Sequence, residues 1–238
     1  MALIEFIPTN ELKSELAEPP KPMSKVMPEW YRKFPSKIVD NDTKLYTRNG
    51  QLIGANATVK KCMPFLDAMT GGYTWTLPCD LEFKHVDHKL EYAWACNIQI
   101  LSEHIPEQFS SEGLGEDSFN HVFKWLFDYV VKTPSGYSTL FTHPLNRNDL
   151  PFTTFAGIVD TDTHPVAMNF PFKLNKFEGD SLVIPEGTPI VQMIPFKREQ
   201  WDSKVHKYTK GNRDRSEHNL GKTINAYKNK WWNKKSYR

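Results

Sequence analysis

An all-β fold is predicted by three features of this sequence. Apolar residues recur at every second position, the runs they form are short, and Pro and Gly separate them. Aromatics make up 13% of the 238 residues, with 15 Phe, 9 Tyr and 7 Trp, and 17 prolines interrupt any long helix. Aromatic rings suit the pleated, half-buried surface of a strand, and proline removes the backbone donor that a helix interior needs. With 39% hydrophobic and 24% charged residues, the composition is that of a soluble globular chain with one sizeable core.

The elements divide into three stretches. Residues 1–59 read as an irregular N-terminal arm, with a short strand near Ile4–Ile7 and a Pro-punctuated run, EPPKPMSKVMPEWYRKFPS, whose Trp30 and Tyr31 pin it to the body. Residues 60–196 read as the β core. From Cys62 the chain reads as strand-like. After the GG break, Tyr73, Trp75 and Leu77 alternate up to a turn at Pro78, and a second strand runs through Leu81 and Phe83. LEYAWACNIQIL, Leu90 to Leu101, reads as one strand, and SSEGLGED as a loop. In VFKWLFDYVVK the side chains of Phe123, Trp125, Phe127, Tyr129 and Val131 share a face. TPSGYSTLF is a turn entering a strand, HPLNRNDLPF a polar loop, GIVDTD a strand end, VAMNFPFKL a strand, and FEGDSLVIPEGTPIVQMIPF two strands around an EG turn. In the tail, 197–238, a helix is predicted over Ser216–Lys235. Leu220, Ile224, Tyr227 and Trp231 form one stripe on it, and Lys222, Lys228 and Lys230 lie opposite.

Charge is uneven. Lys197 to Arg238 holds 13 Lys and Arg against 4 Asp and Glu, whereas the rest holds 17 against 24. Basic residues interleaved with Tyr and Trp suit contact with nucleic acid, but the apolar stripe favours a packed helix with solvated lysines. No run is apolar enough to span a membrane, and MALIEFIPTNELKSE turns charged too soon for a secretion signal. Cys62, Cys79 and Cys96 form no CxxC pair and read as reduced thiols in a reducing compartment.

Three motifs follow in order: TPSGYSTL at Thr133–Leu140, GIVDTD at Gly157–Asp162, and EGTPIVQMI at Glu186–Ile194. Together they resemble the trimeric dUTPase and dCTP deaminase superfamily. VKKCMPFLDAMTGGY and NDLPFTTFAGIVDTD look like an uncharacterised family of bacteriophage proteins, notably from phages of marine cyanobacteria. The first resemblance implies a β-clip, distorted jelly-roll core, a homotrimer, a small phosphorylated ligand and Mg²⁺ for any hydrolysis. The second implies the cytoplasm of an infected bacterium, or the virion. By the same resemblance Asp160 would be the catalytic carboxylate that orients water at the α-phosphorus, with Asp162 beside it. Ser135, Gly136 and Gln192 would face the phosphates, Arg147 would replace the arginine the family has before Ser135, and His143 and His164 would line the pocket.

The chain also departs from that pattern. Thr163, His164 and Pro165 stand where dUTPases have Tyr-Arg-Gly, and the Gly-rich closing motif is replaced by the basic tail. The deaminase glutamate has no counterpart in VAMNFPF. A non-catalytic phage protein making structural or host contacts on the same fold is therefore the alternative. A third reading is a cupin-like or 2-oxoglutarate/iron oxygenase. GDSLVIPEGTPI resembles a cupin motif, with Ile190 at its His position, and His85-x-Asp87 with His143 or His164 would supply a 2-His-1-carboxylate set.

Overall fold

Covered and more open side chains alternate in strands such as Asn169–Asn175, as a sheet with one buried face requires, whereas residues 74–76 and 189–193 are buried at successive positions. The chain was studied as a computed structural model, which describes residues 2–9, 11–16, 18–37, 58–87, 89–105, 108–109, 114–115, 118–207 and 226–238. Two compact units result. One comprises Met1–Val26, Gly71–Arg198 and Tyr237–Arg238; the other comprises Met27–Thr70 and Glu199–Ser236.

The first unit is mostly β, with a short α-helix and a 3-10 helix at Met23–Val26. Its strands are β1 (Glu5–Pro8), β2 (Lys21–Pro22), β3 (Tyr73–Thr76), β4 (Leu81–Val86), β5 (Lys89–Trp94), β6 (Leu101–Glu103), β7 (Ser118–Leu126), β8 (Tyr129–Lys132), β9 (Tyr137–Thr142), β10 (Phe152–Thr154), β11 (Gly157–Val159), β12 (Asn169–Asn175), β13 (Ser181–Ile184) and β14 (Pro189–Lys197). Helix α1 (Glu11–Leu16) follows β1. The pairings are antiparallel and give a five-stranded sheet β11-β9-β14-β3-β2, a four-stranded sheet β10-β12-β7-β6, a three-stranded sheet β13-β4-β5 and the pair β1-β8.

Aromatic side chains fill the space between the larger sheets. Phe141 of β9 stacks on Phe170 of β12 with ring centres 5.1 Å apart, and Trp125 of β7 lies flat on Phe172 of β12 at 3.7 Å. Inside this core the Trp125 Nε1–H donates to Thr154 Oγ1 (3.3 Å), whose hydroxyl donates to the Ile190 carbonyl (2.6 Å), while the Trp75 Nε1–H is buried without a hydrogen-bond partner. Gly72 is demanded twice. Its φ is +72°, and a Cβ there would stand 2.0 Å from the Met193 carbonyl oxygen, so no side chain lets β3 and β14 approach this closely.

The second unit holds the remaining described α-helices, α2 (Glu29–Lys33), α3 (Met63–Thr70) and α4 (Ala226–Lys230). Tyr31 is its buried anchor, stacked on Phe65 at 6.0 Å, while the neighbouring Trp30 is exposed. The Trp232 Nε1–H and the Lys235 ammonium both donate to Asp67 Oδ2, each at 2.8 Å.

Several expectations are corrected. Residues 63–70 form a helix and not a strand; Pro64 suits a first helical turn, and the Gly71–Gly72 pair stops it. Leu90–Leu101 is not one strand: bends at Ala95–Ile98 separate β5 from β6. The 118–132 run is split by Asp128 in the left-handed region, φ +49°, although Phe123, Trp125, Phe127, Tyr129 and Val131 are all buried. In the N-terminal arm the strand expected near Ile4–Ile7 is β1, which joins β8; the arm adds a second short strand that was not expected, β2, which joins β3. Cys79 and Cys96 are not free thiols but are joined as a disulfide, with Cα atoms 6.0 Å apart; Cys62 alone is free. The predicted tail helix is described only from Ala226 and ends at Lys230. Tyr227 and Trp231 of its stripe are exposed, and Leu220, Lys222 and Ile224 lie outside the described residues, as do His88 and most of SSEGLGED. Among the described residues no helix is long and apolar enough to cross a membrane.

Candidate functional site

The turn between β8 and β9 is built by its own residues. The Tyr137 N–H donates to the Pro134 carbonyl (3.2 Å), with proline early in the turn and Gly136 at φ +84°. A Cβ on Gly136 would meet nothing within 4 Å, so conformation and not space calls for glycine. Ser135 is exposed at the tip.

Asp162 closes this turn. The Gly136 N–H donates to Asp162 Oδ2 at 2.8 Å, and Arg198, directly after β14, lays its guanidinium across both carboxylate oxygens, with Nη1 2.9 Å from Oδ1 and Nη2 on Oδ2. The Arg198 N–H donates to the Gly136 carbonyl (2.8 Å), which fixes the cation to the same turn. The Asp162 side chain is only 6% exposed. The arginine fork, and after it the Gly136 amide, hold the carboxyl down to about 2, while Asp162 pushes the Arg198 pKa up.

Asp160 stands on the rim. Its Oδ1 accepts from Ser138 Oγ (2.6 Å) and lies 3.3 Å from Arg198 Nη1. That nitrogen also faces the Tyr137 carbonyl (2.8 Å) and Ser138 Oγ (3.0 Å), so its two hydrogens are shared among four acceptors. Between the two acids Thr161 points the other way. It is buried, and its hydroxyl bridges those of Thr133 (2.7 Å) and Thr139 (2.9 Å).

Three other predicted residues belong to the framework. Gln192 is fully buried; its Oε1 accepts from the Leu145 N–H (2.8 Å) and its Nε2 donates to the Gly71 carbonyl (2.6 Å), so it ties two backbone segments together and faces no solvent. Arg147 is buried with its guanidinium on Asp149: Nε lies 2.9 and 3.1 Å from the two oxygens and Nη2 2.9 Å from one. His143 accepts from the Thr154 N–H at Nδ1 (3.4 Å), which leaves Nε2 to donate to the Arg147 carbonyl (3.1 Å); burial lowers its pKa.

On the apolar side of the same segment lies a pocket of about 500 Å³, lined among others by Phe141, Phe155, Val159, His164, Met168 and Phe170. The His164 N–H donates to the Asp160 carbonyl (2.9 Å), which sets the ring next to the acid turn, and its Nδ1 is buried without a hydrogen-bond partner. β11 borders the pocket as an edge strand, with Ile158 65% exposed.

Asp160, Asp162, Ser135, Gly136 and His164 thus converge at one turn, with Ser138 and Arg198 added. His143, Arg147 and Gln192 brace the neighbouring loop. Arg198 was missed in the sequence, where its signal is the cation just past β14 in QMIPFKRE. The residues do not fit a resident Mg²⁺: Asp162 is enclosed by cationic and N–H donors, and among the described residues no three His, Cys, Asp or Glu side chains group to hold a metal ion. The oxygenase set does not assemble either. His85 packs against Phe119 and Phe177, each at 5.1 Å, and Asp87 is a turn residue at φ +47°. Compared with protein-family models, curated proteins and solved structures, the chain matches none.

Proposed function

We propose that this chain is a non-hydrolysing binding protein on a dUTPase-like β-clip fold, acting in a bacteriophage setting, that takes a deoxynucleoside-type ring into the pocket beside β11. One observation carries the reading: the donors suited to a phosphate, the Gly136 amide and the Arg198 fork, already hold Asp162, whereas the adjoining aromatic pocket is open. Phe155, half-buried, offers a face for stacking, and His164 lines the same pocket. Hydrolysis needs a carboxylate free to orient water and a cation on the phosphates, and here the carboxylates take up the cation themselves.

The test is a thermal-shift series with deoxynucleosides and their triphosphates, with and without Mg²⁺, alongside a pyrophosphate-release assay. A ligand at a hundred times its Kd stabilises the fold by about 2.7 kcal/mol. The reading expects comparable shifts from a nucleoside and its triphosphate and no pyrophosphate. Pyrophosphate release, or no shift with any nucleoside, overturns it.

A second reading is favoured by the exposure of Ile158 and Val166 beside the open edge of β11: protein contact in the virion, against the host, or between copies, including the trimer the resemblance implies. Ile158→Lys would then turn a sedimenting oligomer into a monomer. A wild-type chain that already sediments as a monomer removes the self-association.

A further inference from the structure

We infer that the second unit is a docking surface for single-stranded nucleic acid, with Trp201 and Trp231 as stacking platforms. Residues 27–70 and 199–236 together carry 17 Lys and Arg against 8 Asp and Glu, while the residues of the β unit carry 13 against 20. The positive charge is therefore concentrated in one unit. Large aromatic rings stand in water on it: Trp201 is 85% exposed and Trp231 47%, and Tyr227 is exposed as well. Lys230 sits 6.0 Å from the centre of the Trp231 ring, and Lys228 lies in the same short helix.

Packing does not account for these rings. The stripe that was to bury Tyr227 and Trp231 leaves both open, and Trp232, one position on, is the tryptophan held by Asp67. An exposed tryptophan keeps an apolar face of roughly 150 to 250 Å² available to a partner. Lysines supply phosphate contacts, and tryptophan faces stack on bases of any sequence. A membrane surface fits less well. Interfacial helices set a strongly apolar face against a cationic one, whereas Trp201 lies in a run without regular secondary structure that also carries Glu199 and Asp202.

The experiment uses the full chain, with fluorescence anisotropy of a labelled oligothymidylate and quenching of tryptophan emission read together. Duplex DNA and anionic phospholipid vesicles are the comparison arms. Binding to the oligothymidylate should quench emission, fall steeply with salt and exceed binding to the duplex. Trp201→Ala and Trp231→Ala, checked by circular dichroism for an unchanged fold, should each weaken it about fivefold to a hundredfold. Lys228→Gln should weaken it less and flatten the salt dependence by about one ion. The inference is overturned by no binding at low salt, by affinity for the duplex equal to that for the single strand, by vesicle binding that Trp201→Ala abolishes, or by oligonucleotide binding indifferent to both tryptophans.

Discussion

The segment from Gly157 to Pro171 has two sides, and they differ in what they leave open. On the polar side Asp160 and Asp162 meet Arg198, Ser138 and the Gly136 amide, and every one of these groups has a partner inside the protein. On the apolar side, aromatic rings surround about 500 Å³ of space, with the His164 Nδ1 unpartnered. Charges left without partners cost too much to bury, so a cluster of acids and a base closes on itself. Aromatic walls carry no such penalty and can wait for a ligand. The same stretch of chain thus supplies a closed polar brace and an open apolar pocket, two residues apart.

The largest effect is expected at the wall the pocket shares with the core. Phe170 is buried and touches Phe141 and Phe127 at 5.1 and 5.4 Å. Phe170→Ala should cost about 3 to 5 kcal/mol in denaturant unfolding and abolish any nucleoside-induced shift. Phe155→Ala, at a half-buried position, should lose the shift with much less loss of stability; a full shift in Phe155→Ala would speak against stacking in this pocket.

On the polar side the effects are smaller. Thr161→Val removes the hydroxyl that bridges Thr133 and Thr139 and should cost about 1 to 2 kcal/mol, measured by urea unfolding. A change near zero would mean that the two outer hydroxyls pair without it. Acid should loosen the Asp162 brace next. Its pKa is lowered from 3.8 to about 2 in the folded protein, so its contribution is complete above the unfolded value and is lost as the pH falls from about 4 to about 2. Asp162→Asn should flatten the stability profile across that window and leave it unchanged at pH 7 to 8 in slope. A wild-type profile already flat between pH 4 and 2 would contradict the brace.

Much of this was readable in the residues, for physical reasons. The period-two aromatics announced β7 and β8 because each strand buries one face, and TPSG announced its turn because Pro and Gly meet its two special backbone positions. The Asp160–Asp162 spacing placed both acids at one strand end. What stayed hidden depends on distance in space. Arg198 lies 36 residues from Asp162, and nothing local couples them. Gln192 was expected to face a ligand only by resemblance, yet its side chain is held inside by Gly71 and Leu145. Residues 63–70 read as strand because the apolar run is too short to show its period.

The smallest effect is expected at Asp160. Its pairs with Ser138 and Arg198 are exposed to water, and Asp160→Asn should change stability by about 0.5 kcal/mol or less. It should leave nucleoside binding as it is, because the pocket lies on the other side.

The most direct measurement is an amide and aromatic NMR titration of the full chain with a deoxynucleoside and, separately, with its triphosphate. The account predicts that resonances of Phe155, His164, Met168 and Phe170 move in both titrations, while the Gly136 amide and the Arg198 guanidinium protons, held by Asp162, stay where they are. Movement of Gly136 and Arg198 with the triphosphate alone would show phosphate displacing Asp162 and would contradict the closed brace.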